Sequence, residues 1–123
     1  MTHARQILGK TGEDLAVAAL EARGYAIVER RYRTGRGEID IIARDGDTIV
    51  FVEVKARESR EFGSAAEAVT RAKQRQVVSM AVEYLARHRL NRCPCRFDVV
   101  AIDEALGERP EITVYPGAFD ATG

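Results

Sequence analysis

The sequence predicts an α/β domain with a mixed sheet, its elements running α-β-β-β-α-β. Three observations predict it. Apolar residues recur at helical spacing near the N-terminus and again after residue 64, so two helical regions bracket the middle of the chain. Between them lie short runs rich in β-branched residues, two of them joined by Asp45-Gly46, a strong hairpin signal. A further such run, Arg96 to Ile102, follows the second helical region.

Taken in order, Thr11 with Asp14 three residues on has the form of a capping box. It predicts a helix over Gly12 to Arg23, stopped by Gly24. YAIVERRYR, Tyr25 to Arg33, reads as a strand and TGRG as a turn. Glu38 to Ala43 and Thr48 to Lys55 are the second and third strands, and RESREFG is a loop. Ser64 with Glu67 repeats the capping pattern and opens a helical region to about Leu90, with Thr70 placed to restart it after a short first piece. Val69, Val77, Met80, Ala81, Tyr84 and Leu85 make an apolar stripe there and read as core. NRCPC is a loop that Pro94 keeps irregular. Arg96 to Ile102 is the fourth strand, and Glu111 to Tyr115 a short fifth one at the edge. GAFDATG carries no structural signal.

The 123 residues suit one domain, 1–123, and 46% hydrophobic content is enough for a core. No run approaches the ~18 apolar residues of a membrane span. MTHARQILGK lacks the apolar block of a signal peptide. These features predict a cytoplasmic protein without a membrane partner. Cys93 and Cys95 flank Pro94, where two thiols are poorly placed to bridge. They read as reduced thiols; a metal site with His88 would lack a fourth ligand and a recognised spacing.

Net charge is zero, which argues against a strongly basic nucleic-acid binder. The zero hides an asymmetry. Residues 55 to 96 hold ten Lys and Arg against four Asp and Glu, a balance of +6, and the rest of the chain carries −6. The basic segment could meet phosphates and an acidic pocket elsewhere could hold a cation. An ordinary solvated helix surface is the plainer reading of the charge alone.

Polar residues interrupt the hairpin strands at Glu38, Asp40, Glu53 and Lys55. Side chains two apart on a strand share a face. A turn at Asp45-Gly46 pairs Arg44 with Asp47, sets Asp40 opposite Phe51 and Glu38 opposite Glu53, and leaves Asp40, Glu53 and Lys55 on one side. A one-residue slip would scatter them. Two neighbouring carboxylates repel unless a cation intervenes, and hard oxygen ligands suit Mg²⁺ or Mn²⁺. Only three of the nineteen basic residues are Lys, and one stands beside these acids. An ammonium there makes a point contact with water or phosphate. Glu13 shares a helix face with Ala16, Val17 and Leu20, so it is expected to point at the sheet. The competing reading of each acid is a cross-strand pair on an exposed face. Asp98, in RFDVV, could be another metal ligand, but reads first as a structural partner for an Arg.

These residues resemble the PD-(D/E)xK nuclease superfamily, whose core is α-β-β-β-α-β. Asp40 stands at its Asp, and Glu53-Val54-Lys55 at its ExK. The chain is more similar still to the YraN-like family of small bacterial predicted endonucleases. GEDLA (12–16), GY (24–25), GEIDIIA (37–43), VFVEVKAR (50–57), FG (62–63), AVEYL (81–85) and RFDVV (96–100) carry that likeness. The resemblance implies a restriction-endonuclease-like core, a mixed central sheet flanked by helices. It implies hydrolysis of phosphodiester bonds in DNA, duplex or branched, including recombination and repair intermediates. Asp40 and Glu53 would ligate Mg²⁺ or Mn²⁺ with the Val54 carbonyl, and Glu13 would complete the shell, directly or through water. Lys55 would hold the attacking water and offset charge on the phosphate. Glu38 would support the site, and Arg57, Lys73 and Gln74 would touch phosphate or the groups around it. YraN-like proteins are similar in turn to archaeal Holliday-junction resolvases, which are dimers, so the resemblance leaves a homodimer open. Two departures stand out: Gln76 is followed four residues later by Met80 where some branches have Tyr, and Ile39 stands where the superfamily name has Pro. A nucleic-acid-binding module without cleavage and an interaction domain without nucleic acid are the competing functions.

Overall fold

The structure, a computed structural model, describes residues 2–57, 65–103 and 109–121, with side chains given from Gly12 in the first segment and from Glu67 in the second. The elements are α1 (Thr2–Ala22), β1 (Ala26–Thr34), β2 (Gly37–Asp45), β3 (Thr48–Arg57), α2 (Ala65–Ala68), α3 (Arg71–Arg87), β4 (Cys95–Asp103) and β5 (Glu111–Phe119). Five strands form one sheet in the order β1-β2-β3-β4-β5. The β3–β4 pair is parallel and the other three are antiparallel, so the sheet is mixed, as the sequence predicts. A parallel step needs a long crossover, and α2 and α3 lie in it. This architecture is compatible with a restriction-endonuclease-like core.

Helices cover both faces. Ile49 and Phe51 of β3 pack with Val77, Met80, Ala81 and Tyr84 of α3. Val50 and Val52 pack with Ala16 and Leu20 of α1. Burial on both sides is why β3 reads as an unbroken apolar run.

Several boundaries move. α1 begins at Thr2, so Thr11 lies inside the helix and does not cap it. Asp14, the other half of the expected box, pairs with Arg30 instead. Gly9 and Gly12 cost the helix only about 1 kcal/mol each, too little to stop one among Ala, Gln, Ile and Leu. The far end is as predicted: Gly24 takes φ 90, with Gly24 N–H bonded to Glu21 C=O at 2.9 Å and Tyr25 N–H to Leu20 C=O at 3.0 Å. Thr70 caps α3, its hydroxyl accepting from Lys73 N–H at 3.1 Å. Ser64, the other expected cap, lies outside the described residues. α3 stops at Arg87, short of Leu90, because Arg89 adopts φ 57 and Leu90 N–H returns to Leu85 C=O at 2.7 Å. β5 extends to Phe119, beyond the expected Tyr115. Cys93 and Cys95 are free thiols.

The hairpin register differs from the expected one by two residues. Asp45 pairs with Thr48, so Gly46-Asp47 makes the turn. Gly46 has φ 60 at the first central position, where a type II′ turn puts glycine. Continuing that register sets Asp40 opposite Glu53 rather than Phe51. A shift of two preserves which side chains share a face, so Asp40 and Glu53 stay close to one another.

Candidate active site

Asp40 sits where the sheet is broken on both flanks. Regular β2–β3 pairing ends at Ile41↔Val52. Beyond it the Asp40 carboxylate takes over, Oδ2 accepting from the Val54 N–H at 2.8 Å. On the other flank, Arg30↔Ile41 and Tyr32↔Ile39 bracket Arg31, whose φ is 53. Ile39 and Ile41 should share a face, yet Ile39 joins the α3-side core and Ile41 the α1-side core. Asp40 is the residue between them.

Glu53 is 6% exposed, and its Oε1 is buried without a hydrogen-bond partner. An unsatisfied buried acceptor costs about 1–3 kcal/mol. Burial and then the neighbouring Asp40 charge push its carboxyl up to about 8, against the pull of Lys73, a hydrogen bond from the Asp40 amide, and Lys55. Burial also raises Asp40, opposed by the Val54 N–H and by Lys73. The two acids thus stand together, each shifted toward its neutral form, and an added cation would relieve both.

Two lysines border the pair. Lys73, in the first turns of α3, puts Nζ 3.0 Å from the Glu38 carbonyl and 3.9 Å from Glu53 Oε2. Lys55 follows two residues after Glu53 on β3 and is exposed. Glu38 lies near its edge, with a carboxylate oxygen 3.4 Å from Arg33 Nε.

The other expected residues are placed differently. Glu13 does face the sheet, at 11% side-chain exposure. Its two oxygens are taken, however, by Arg30 Nε and Arg31 Nε, each at 2.8 Å. Burial pushes the Glu13 carboxyl up, but the bonds from Arg31 and Arg30 outweigh it and hold the group below its ordinary value. Among the described residues no group of three or more His, Cys, Asp or Glu is arranged to hold a metal ion, so the structure does not bring Glu13 into one shell with Asp40 and Glu53. Arg57 is not a free phosphate contact: it makes a two-pronged pair with Asp103, at 2.8 and 3.1 Å. Gln74 donates to the Val69 carbonyl at 2.9 Å. Asp98 is a structural acid as expected. It is fully buried and accepts from Arg96, the Tyr25 hydroxyl and the Gly117 N–H.

No local pattern in the sequence marks Arg30, Arg31 or Asp103. Arg57 and Asp103 face each other only through the parallel β3–β4 register, which no local pattern shows. The Glu29-Arg30-Arg31 run offered a signal for charge, but none for its target.

A family model, that of the uncharacterised protein family UPF0102, matches residues 12–102, a span that holds Glu13, Glu38, Asp40, Glu53, Lys55 and Lys73. The chain belongs to that family. Its relatives include a UPF0102 protein of Syntrophotalea carbinolica, 46% identical over 123 residues, covering all of this chain and 99% of the relative. Two more, from Geotalea uraniireducens and Geobacter metallireducens, are each 50% identical over 113 residues, 92% of this chain and 89% and 92% of theirs. UPF0102 is the YraN-like group of predicted endonucleases, so the resemblance read from the motifs holds. The match carries no activity with it. No helix among the described residues of this UPF0102 chain is long and apolar enough to cross a membrane.

Proposed function

We propose that this UPF0102 chain is a divalent-metal-dependent endonuclease that hydrolyses phosphodiester bonds in DNA, acting on branched, recombination or repair intermediates. One observation carries the reading: the buried, unpartnered Glu53 Oε1 beside Asp40. Two carboxylates and a backbone carbonyl suit Mg²⁺ or Mn²⁺. Mg²⁺ is commonly held by one or two carboxylates together with waters and substrate phosphate, so a third acid is not required. Asp40, Glu53 and the Val54 carbonyl would hold the ion. When bound, it would supply Lewis acidity and a water of lowered pKa.

The chain's own residues supply the rest. The Asp40 carboxylate crosses from β2 to the Val54 N–H of β3, the residue after Glu53. Lys55 stands exposed next to the pair and offsets charge developing on the phosphate. Lys73 and the exposed Arg71 and Arg75 at the start of α3 offer cations to the nucleic-acid backbone. Glu38 supports Lys73 through its carbonyl. A second reading, a DNA-binding module that cleaves little or not at all, draws support from the engagement of both Glu13 oxygens by arginines.

The test is incubation with labelled single-stranded, duplex and four-way-junction DNA in Mn²⁺, Mg²⁺ or EDTA, beside Lys55→Ala. The nuclease reading expects metal-dependent cuts, with the variant losing rate while keeping affinity for DNA. Junction binding without any cut would favour the binding module instead.

A further inference from the structure

We infer that Glu13 is a positioning residue that draws Arg31 away from Asp40 and so keeps the Asp40 carboxylate open to a cation. The inference rests on the metal-binding reading of the Asp40–Glu53 pair.

Arg31 occupies the register position opposite Asp40, between the pairs Arg30↔Ile41 and Tyr32↔Ile39. In an unbroken antiparallel ladder, side chains directly opposite stand side by side on one face, about 5 Å apart at Cβ. An arginine in that place pairs with the aspartate. Asp40 would then enter the site already neutralised, and a metal would have to displace a guanidinium to reach it.

The structure shows another arrangement. Arg31 has φ 53, a left-handed backbone that a non-glycine residue keeps only where its surroundings impose it. Consecutive strand residues point to opposite faces, yet Arg30 and Arg31 both reach one carboxylate. Arg30 Nε holds Glu13 Oε1 and Arg31 Nε holds Glu13 Oε2, each at 2.8 Å, and Arg30 also holds Asp14 at 2.7 Å. The flip at Arg31 is what allows both to converge on the helix. Among the described residues no Lys or Arg forms an ion pair with Asp40; its carboxylate meets the Val54 N–H. Glu13 is therefore the counter-ion that competes with Asp40 for Arg31, and at the observed geometry it wins.

A ligand role and a positioning role for Glu13 separate cleanly, because only the second depends on Arg31. Mn²⁺ binding to the full chain, without nucleic acid, is measured calorimetrically for wild type, Glu13→Gln, Arg31→Gly and the double variant. Glycine tolerates the left-handed backbone and removes the cation. Glu13→Gln should weaken Mn²⁺ by roughly ten- to a hundredfold, the change that goes with one hydrogen bond to a charged group. The double variant should bind within about threefold of Arg31→Gly, and both near wild type. A double variant much weaker than Arg31→Gly overturns the inference and makes Glu13 a ligand. That comparison stands even where Glu13→Gln alone fails to fold. If wild type binds no Mn²⁺, the metal reading fails. The crystal structure of Glu13→Gln then decides the rest: Arg31 at hydrogen-bond distance from Asp40 supports the diversion, and Arg31 still turned away overturns it.

Discussion

Replacing Glu53 by Gln should stabilise the metal-free protein at pH 8 and leave it nearly unchanged at pH 5. Glu53 is an acid whose folded pKa, about 8, lies above its ordinary 4.5. Below the lower value the group is protonated in both the folded and unfolded chain, and it costs nothing. As pH rises from there, the unfolded chain releases the proton and the folded chain does not, so stability falls until the pH passes about 8 and then levels off. The gap between about 8 and 4.5, at about 1.4 kcal/mol per pH unit, sets a ceiling near 5 kcal/mol. Asp40 shares the repulsion and relaxes with it, so a gain of about 1–3 kcal/mol is the expected result, roughly 4–12 °C in Tm for a chain of this size. Thermal melts followed by circular dichroism in EDTA, at both pH values, measure it. An equal loss of stability at pH 5 and pH 8 would show that Glu53 is a well-paired, ionised side chain, and the argument for a cation site would go with it.

Further outcomes follow from the surrounding contacts. Asp98→Ala should cost about 2–4 kcal/mol in denaturant unfolding, because it removes the buried acceptor of the Tyr25 hydroxyl and the Gly117 N–H and leaves Arg96 only Asp45 and the Tyr25 oxygen; Mn²⁺ affinity of the folded protein should be unchanged. Arg57→Ala should cost about 2–4 kcal/mol through Asp103, and leave the salt dependence of DNA binding as it was. A fall of about one unit in that salt slope would instead make Arg57 a phosphate contact. Gly37→Ala should cost about 1–3 kcal/mol by chemical denaturation, since Gly37 has φ 145 and an added Cβ runs into the Gln76 amide, which also holds the Arg36 carbonyl. Loss below a few tenths of a kcal/mol would mean that the hairpin tip repacks freely around α3.

Much of this protein is written in short-range patterns. Glycine-24 stops α1, Thr70 caps α3, and β-branched runs mark four strands within two residues of their observed limits. Those signals are legible because they involve backbone groups a few residues apart. Glu13 facing the sheet follows from helical spacing alone, and Asp40 and Glu53 end up together because the side-chain period of a strand is two. The turn residues shifted the register by two and left that grouping intact.

What the sequence by itself determined is therefore the order of elements, the mixed sheet, the placing of Asp40 and Glu53 on one side of the hairpin and the structural role of Asp98. The tertiary structure alone decided that Arg30 and Arg31 reach Glu13, that Asp103 claims Arg57, and that Lys73 rather than Lys55 lies nearest Glu53 Oε2. Each of these joins side chains from different elements. A long arginine or lysine can meet any acid within its reach, and the winner is set by how the helices dock and how the strands register. Local spacing fixes which face a charge occupies, and only the packed fold fixes its partner.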